Sequence, residues 1–198
     1  MPRLFVAIDL PGPVKDQLER LCHGVPHARW TRDRQFHLTL RFLGEVPGPT
    51  FASVREALRG VRLAPFELAV HGVGHFPPRG SPRVLWAGVA HGPGLLEAHR
   101  QVERLVRRSG LPPEERKFAP HVTLARLDRA PLPRVLEWLR AHALLRSEPF
   151  RVDGLRLYRS VPGHEGSQHV VEESYPLNGD GHGHSPLPAV LPPAPRLS

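Results

Sequence analysis

The chain has 198 residues, 40% hydrophobic and 23% charged, a globular composition sized for one domain or two small lobes. A single cysteine, Cys22, excludes an intrachain disulfide framework and fits a reducing, cytoplasmic compartment, and no apolar run approaches the roughly 18 residues of a membrane span. Lys+Arg 27 against Asp+Glu 19 gives a net charge of +8, carried almost wholly by arginine; the guanidinium fork suits phosphate, but an Arg-, Pro- and Ala-rich chain also reflects genome bias, so the charge permits an anionic ligand without establishing one.

In chain order, Arg3 to Leu10 reads as a strand rather than a signal peptide, because its apolar run is short and broken by Asp9. Pro13 to His23 carries Val14, Leu18 and Leu21 at helical spacing, with Gly24 as a stop. His37 to Val46 is a strand and Thr50 to Arg59 a short helix around Val54 and Leu58. Phe66 to Phe76 and Arg83 to Ala90 form a hairpin with a Pro/Gly-rich basic tip. Leu95 to Arg108 is an amphipathic helix with His99 on its apolar side, ended by Gly110. His121 to Leu127 is a strand, Leu132 to Ala143 a helix, and Phe150 to Val161 and His169 to Leu177 are closing strands. Helices interspersed with hairpin-connected strands predict an α+β fold. Gly179 to Ser198 has no periodicity and little to bury, so residues 1–178 are read as the folded domain and 179–198 as a disordered Pro/Gly-rich tail.

The informative feature is a repeat. His37-Leu38-Thr39-Leu40 recurs as His121-Val122-Thr123-Leu124, and these use two of the chain's four threonines. In a strand, residues i and i+2 share a face, so each motif presents one imidazole and one hydroxyl while its apolar residues face a core. A lone His-x-Thr is the polar side of a half-buried strand. Two equivalent strands can face each other across a cleft. One neutral imidazole can then take a proton while a protonated one gives a proton, and the hydroxyls can hold phosphate oxygens. This suits in-line displacement at phosphorus without a metal. Strict alternation puts Arg41 on the face of His37 and puts Arg126 on the face opposite His121, unless a bulge swings Arg126 back.

His37-Leu-Thr-Leu-Arg-Phe-Leu-Gly44 and Phe118-Ala-Pro-His-Val-Thr-Leu-Ala-Arg126 resemble the two signatures of the 2H phosphoesterase superfamily. In particular they resemble its RNA 2′,3′-cyclic phosphodiesterase branch, also called LigT-like or 2′-5′ RNA ligase. The resemblance spans roughly residues 3 to 177 and takes in Arg3 to Pro11, Gly72 to Phe76, Arg83 to Gly88 and Leu157 to Ser160. It implies a bilobal α+β fold in which two pseudo-twofold-related antiparallel sheets, flanked by helices, bring both His-x-Thr motifs into a central cleft. It implies metal-independent hydrolysis of a 2′,3′-cyclic phosphate at an RNA end to a 2′-phosphate, and in some relatives a reversible 2′-5′ ligation. By that carry-over His37 and His121 are the acid–base pair, and Thr39, Thr123 and Arg126 bind phosphate. His37 is assigned as base and His121 as acid, although the near-identity of the motifs leaves the two interchangeable.

The implied partners are RNA or nucleotides with cyclic phosphate ends. No cofactor, metal or membrane is called for, and the chain is expected to act as a monomer. A terminal base could stack on Trp30, Phe42, Phe76 or Tyr175. A non-catalytic basic-cleft RNA-binding module is the competing reading, but it leaves the paired motifs unexplained. A metallohydrolase lacks any His-Glu-x-x-His run or cysteine pair.

Overall fold

The computed structural model describes residues 1–32, 35–163 and 166–178; the expected tail, 179–198, lies outside them. The elements run β1 (Arg3–Asp9), α1 (Gly12–Glu19), β2 (Ala28–Trp30), β3 (His37–Glu45), α2 (Gly48–Leu58), β4 (Phe66–Leu68) and β5 (Val70–Phe76). Then come β6 (Val84–Val89), α3 (Pro93–Arg108), β7 (His121–Leu127), α4 (Leu132–Ala141), β8 (Phe150–Val152), β9 (Gly154–Gly163) and β10 (Gly166–Pro176).

Every helix starts at a proline, at the cap or in the first turn, and none has a side-chain cap. Proline fixes φ and has no N–H to satisfy at a position where the helix cannot satisfy one. The Pro-Gly-Pro segments that end β1 and β3 therefore also start α1 and α2.

One lobe carries antiparallel strands in the order β10-β9-β1-β3, and the other carries β7-β6-β5, with β2 also paired to β7. The two sheets join at a single residue pair, Leu38 of β3 against Val122 of β7. Each lobe repeats a strand-helix-strand-helix order, β1-α1-β3-α2 and β6-α3-β7-α4. This is the expected bilobal α+β arrangement. Two long strands expected from the sequence are split. Phe66–Leu68 and Phe150–Val152 leave the main sheet and pair with each other, and the Phe66 ring lies against Gly94 at the start of α3.

One face of the sheet packs on the helices. Leu38, Leu40, Val122 and Leu124 lie in one core with Val54, Leu58, Leu95, Val102, Val106 and Val135. Burying side chains of this size contributes about 1.5–3 kcal/mol each relative to exposure. The other face carries the small buried cluster Phe5, Ala7 and Tyr158, and Phe5 lines the cleft.

Candidate active site

Antiparallel pairing through Leu38 and Val122 sets His37 beside Thr123 and Thr39 beside His121. A cleft of about 640 Å³ opens over this junction. His37, Thr39, His121, Thr123 and Arg126 all line it.

Both motifs end in a bulge at the same position. In the β1–β3 ladder Ala7 faces Thr39 and Val6 faces Arg41, so Leu40 is the extra residue. In the β6–β7 ladder Trp86 faces Thr123 and Leu85 faces Ala125, so Leu124 is the extra residue. A bulge inverts the alternation beyond it. The inversion turns Arg126 into the cleft and turns Arg41 out of it. Arg41 is 7% exposed on the core side, where it meets Glu103 at 2.7 Å and Glu114 at 3.0 Å and donates to the carbonyls of Phe42 and Pro112. The alternation argument is thus corrected at both arginines, for one physical reason. The residue that matches Arg126 in the first motif is Phe42, 59% exposed and lining the cleft.

The bulge carbonyls are capped. The Leu124 carbonyl accepts from the Thr31 backbone N–H at 2.8 Å, and the Leu40 carbonyl accepts from His99 Nδ1 at 3.1 Å. His99, expected among the apolar residues of α3, instead stacks on Phe118 at 3.9 Å, three residues before His121. The first bulge thereby grips the approach to the second motif, through His99 and through the hold of Arg41 on Pro112 and Glu114. Arg41→Ala is expected to cost about 3 kcal/mol, because it takes the paired guanidinium from two carboxylates and two carbonyls. That corresponds to a fall of roughly 6–12 °C in Tm, read by thermal unfolding. A variant with unchanged Tm and lost activity would instead make Arg41 a ligand for substrate.

The two imidazoles are held alike. His37 Nδ1 lies 2.7 Å from the Gln35 carbonyl and His121 Nδ1 lies 2.7 Å from the Ala119 carbonyl. A carbonyl only accepts, so each Nδ1 carries the proton and each neutral ring keeps the Nε2 lone pair free. Their surroundings differ. His37 stacks on Phe5 at 4.8 Å, and Phe5 stacks on Tyr158 at 5.1 Å. Burial pushes its pKa down to about 4, against a smaller upward pull from the Gln35 carbonyl. His121 meets Phe76 edge-on at 5.0 Å, and Phe76 packs on Trp86. Burial lowers its pKa from the usual 6.5 as well. Trp86 lies flat across Gly74, where any Cβ would enter the indole ring. Asp9, across the ladder from His37, is engaged by Lys15 at 2.7 Å and Arg156 at 2.6 Å.

Of the stacking candidates, Trp30 and Phe42 line the cleft. The Trp30 ring also packs on Trp138, Phe76 supports His121, and Tyr175 is buried with its hydroxyl on the Arg55 carbonyl. His169 of β10 was not singled out by the sequence. It stands 5.0 Å edge-on to His37 and lines the cleft, and burial and Arg126 lower its pKa. No spacing signal links it to the motifs; the β9–β10 hairpin delivers it. Among the described residues no group of three or more His, Cys, Asp or Glu stands close enough to hold a metal ion.

Known proteins resemble the chain in sequence and in fold. The family model described as LigT like phosphoesterase matches residues 8–86 and again 89–166, once over each His-x-Thr motif. The chain is 37% identical over 156 residues to the RNA 2′,3′-cyclic phosphodiesterase of Aeropyrum pernix, covering 76% of this chain and 89% of that protein. It is 35% identical to the Thermus thermophilus protein of that name, covering 91% and 92%. The crystal structure of Escherichia coli LigT complexed with 3′-AMP superposes with a TM-score of 0.74 at 26% identity, over 89% of this chain and 99% of that one. A strand-borne His-x-Thr duplicated across one cleft, and one family model matching each half, place the chain among the LigT-like members of the 2H phosphoesterases.

Proposed function

We propose that the chain is an RNA 2′,3′-cyclic phosphodiesterase that opens a terminal cyclic phosphate to a 2′-phosphate, with no metal in the chemistry. The observation that carries this reading is the pair of imidazoles in one cleft. Each donates an Nδ1–H hydrogen bond to a backbone carbonyl and so keeps Nε2 for the reaction. Water attacks phosphorus in line with the 3′ oxygen. His37 takes the water's proton as the new P–O bond forms, and His121 protonates the 3′ oxygen as the P–O3′ bond breaks. His37 is the base because its buried ring resists protonation.

The ring-opening transition state carries more negative charge than the cyclic diester. Donors from Thr39, Thr123 and Arg126 therefore hold it more tightly than they hold substrate. The chain acts as a monomer in this reading, since one chain supplies every group. The non-catalytic RNA-binding alternative gives no reason for two positioned Nε2 atoms.

Product analysis tests the reading. A short RNA ending in a 2′,3′-cyclic phosphate, incubated in excess chelator, is expected to yield the 2′-phosphate at the full rate. A 3′-phosphate product would overturn the in-line geometry. Complete loss in chelator, restored by one divalent ion, would overturn the metal-free chemistry.

A further inference from the structure

The cleft carries more positive charge than one phosphate requires. Arg3, Arg29, Arg32 and Arg126 line it, and none of its described lining residues is Asp or Glu. Arg29 and Arg126 are the telling pair. They stand directly opposite each other in the β2–β7 ladder, so they project from one face with Cβ atoms roughly 4.5–5.5 Å apart, a placement in which like charges repel. Both side chains are exposed, and neither is in an ion pair among the described residues.

The ladder is held regardless. The Thr31 hydroxyl donates to the Thr123 carbonyl at 3.0 Å, the Thr31 N–H donates to the Leu124 carbonyl, and Trp30 packs on Trp138. The other two residues of β2, Ala28 and Trp30, pack against the core, and Trp30 also borders the cleft, so Arg29 is the one charged side chain this strand sends to it. A short strand stitched in place to hold one guanidinium against another builds a site that an anion completes.

Arg126 is taken up by the reacting phosphate, and Arg29 stands one strand beyond it. We propose that Arg29 forms a second phosphate subsite, which takes the phosphodiester next to the terminal cyclic phosphate and so favours oligonucleotide ends over single nucleotides. The inference rests on the cyclic phosphodiesterase reading and deepens it. A 5′-monophosphate offers similar chemistry, so three substrates are compared: adenosine 2′,3′-cyclic phosphate, its 5′-phosphorylated form, and the dinucleotide ApA with a 2′,3′-cyclic end.

The dinucleotide is expected to show a kcat/KM about tenfold or more above the unphosphorylated mononucleotide, the scale of a charge-assisted contact. Arg29→Ala is expected to bring that ratio close to one, and Arg29→Lys to restore part of it, because the charge returns without the fork. The slope of log kcat/KM against log salt for the dinucleotide is expected to flatten by about 0.7 in Arg29→Ala, one phosphate contact on a single strand. Without ligand, Arg29→Ala is expected to melt at or above the wild-type temperature, since it removes a repulsion.

An advantage confined to the 5′-monophosphate would assign the subsite to free nucleotides and overturn the RNA-end proposal. Equal kcat/KM for all three substrates, or an equal loss on all three in Arg29→Ala, would overturn it too. Calorimetric binding of ApA ending in a 2′-phosphate, against 2′-AMP, reads the same subsite without turnover. Tighter dinucleotide binding that depends on Arg29, in a protein that hydrolyses nothing, would keep the subsite and sink the enzymatic reading.

Discussion

His37→Ala and His121→Ala are each expected to lower kcat by about a hundredfold or more, the scale of a lost general acid or base, and the double variant to be little worse than the worse single. The second expectation is the sharper one. In an in-line displacement the proton leaving water and the proton reaching the 3′ oxygen belong to one transition state. Removing either imidazole therefore abolishes the same step, and residues that act as a unit are not additive. In the proposed mechanism what remains is binding and charge stabilisation by Thr39, Thr123 and Arg126, all of which line the cleft. Thr39→Ala and Thr123→Ala are expected to cost less than either histidine, because each removes a neutral donor rather than a proton carrier. Steady-state turnover on a nucleoside 2′,3′-cyclic phosphate reads all five variants. A multiplicative double variant would show that the two rings serve separate steps. A His37→Ala enzyme with near-wild-type turnover would leave the repeat as a structural echo.

Much of this site was legible because period-2 geometry does not depend on context. His37 and Thr39, or His121 and Thr123, share a face in any strand, and the repeat says that two such strands exist. The arginines were not legible in that way. A bulge is a property of two strands in register, and nothing in Leu40 or Leu124 marks it before the partner strand is known. The same inversion sends Arg41 to Glu103 and Arg126 to the cleft, so alternation failed at both positions together, and only the family resemblance grouped Arg126 with the paired motifs. Strand β2 was invisible because three residues carry no period, and its stability comes from Trp30 on Trp138 and Thr31 on β7. The Gln35 and Ala119 carbonyls that set the imidazole tautomers are backbone groups, which side-chain patterns do not report. The difference between the two histidines was equally hidden. The motifs are nearly identical, while the rings around them, Phe5, Tyr158 and His169 on one side and Phe76 on the other, come from other parts of the chain.

That difference predicts an acid-shifted pH profile. In the proposed mechanism, kcat/KM requires His37 neutral and His121 protonated in the free enzyme. The rate is expected to rise with pH through about 4, where His37 loses its proton, and to fall through the lowered pKa of His121, below the usual 6.5. The optimum then lies on the acid side of neutrality, with activity dropping about tenfold per pH unit beyond each limb. The single variants assign the roles. With His37 removed, the residual rate is expected to fall as pH rises, because His121 must still hold its proton; a residual rate that climbs with pH would make His121 the base and reverse the assignment. The same burial acts on folding. The unfolded chain protonates His37 near 6.5 while the folded protein resists until about 4, so between these values the unfolded state binds more protons and stability falls as pH falls. The stabilisation from the neutral ring is complete above 6.5 and is lost through 4, a difference of about 3 kcal/mol. Urea unfolding at pH 7.5 and 4.5 measures it. In His37→Phe, which keeps a ring against Phe5 but cannot titrate, the acid loss is expected to shrink by about that amount. An undiminished loss would place the acid sensitivity elsewhere and return His37 to an ordinary pKa.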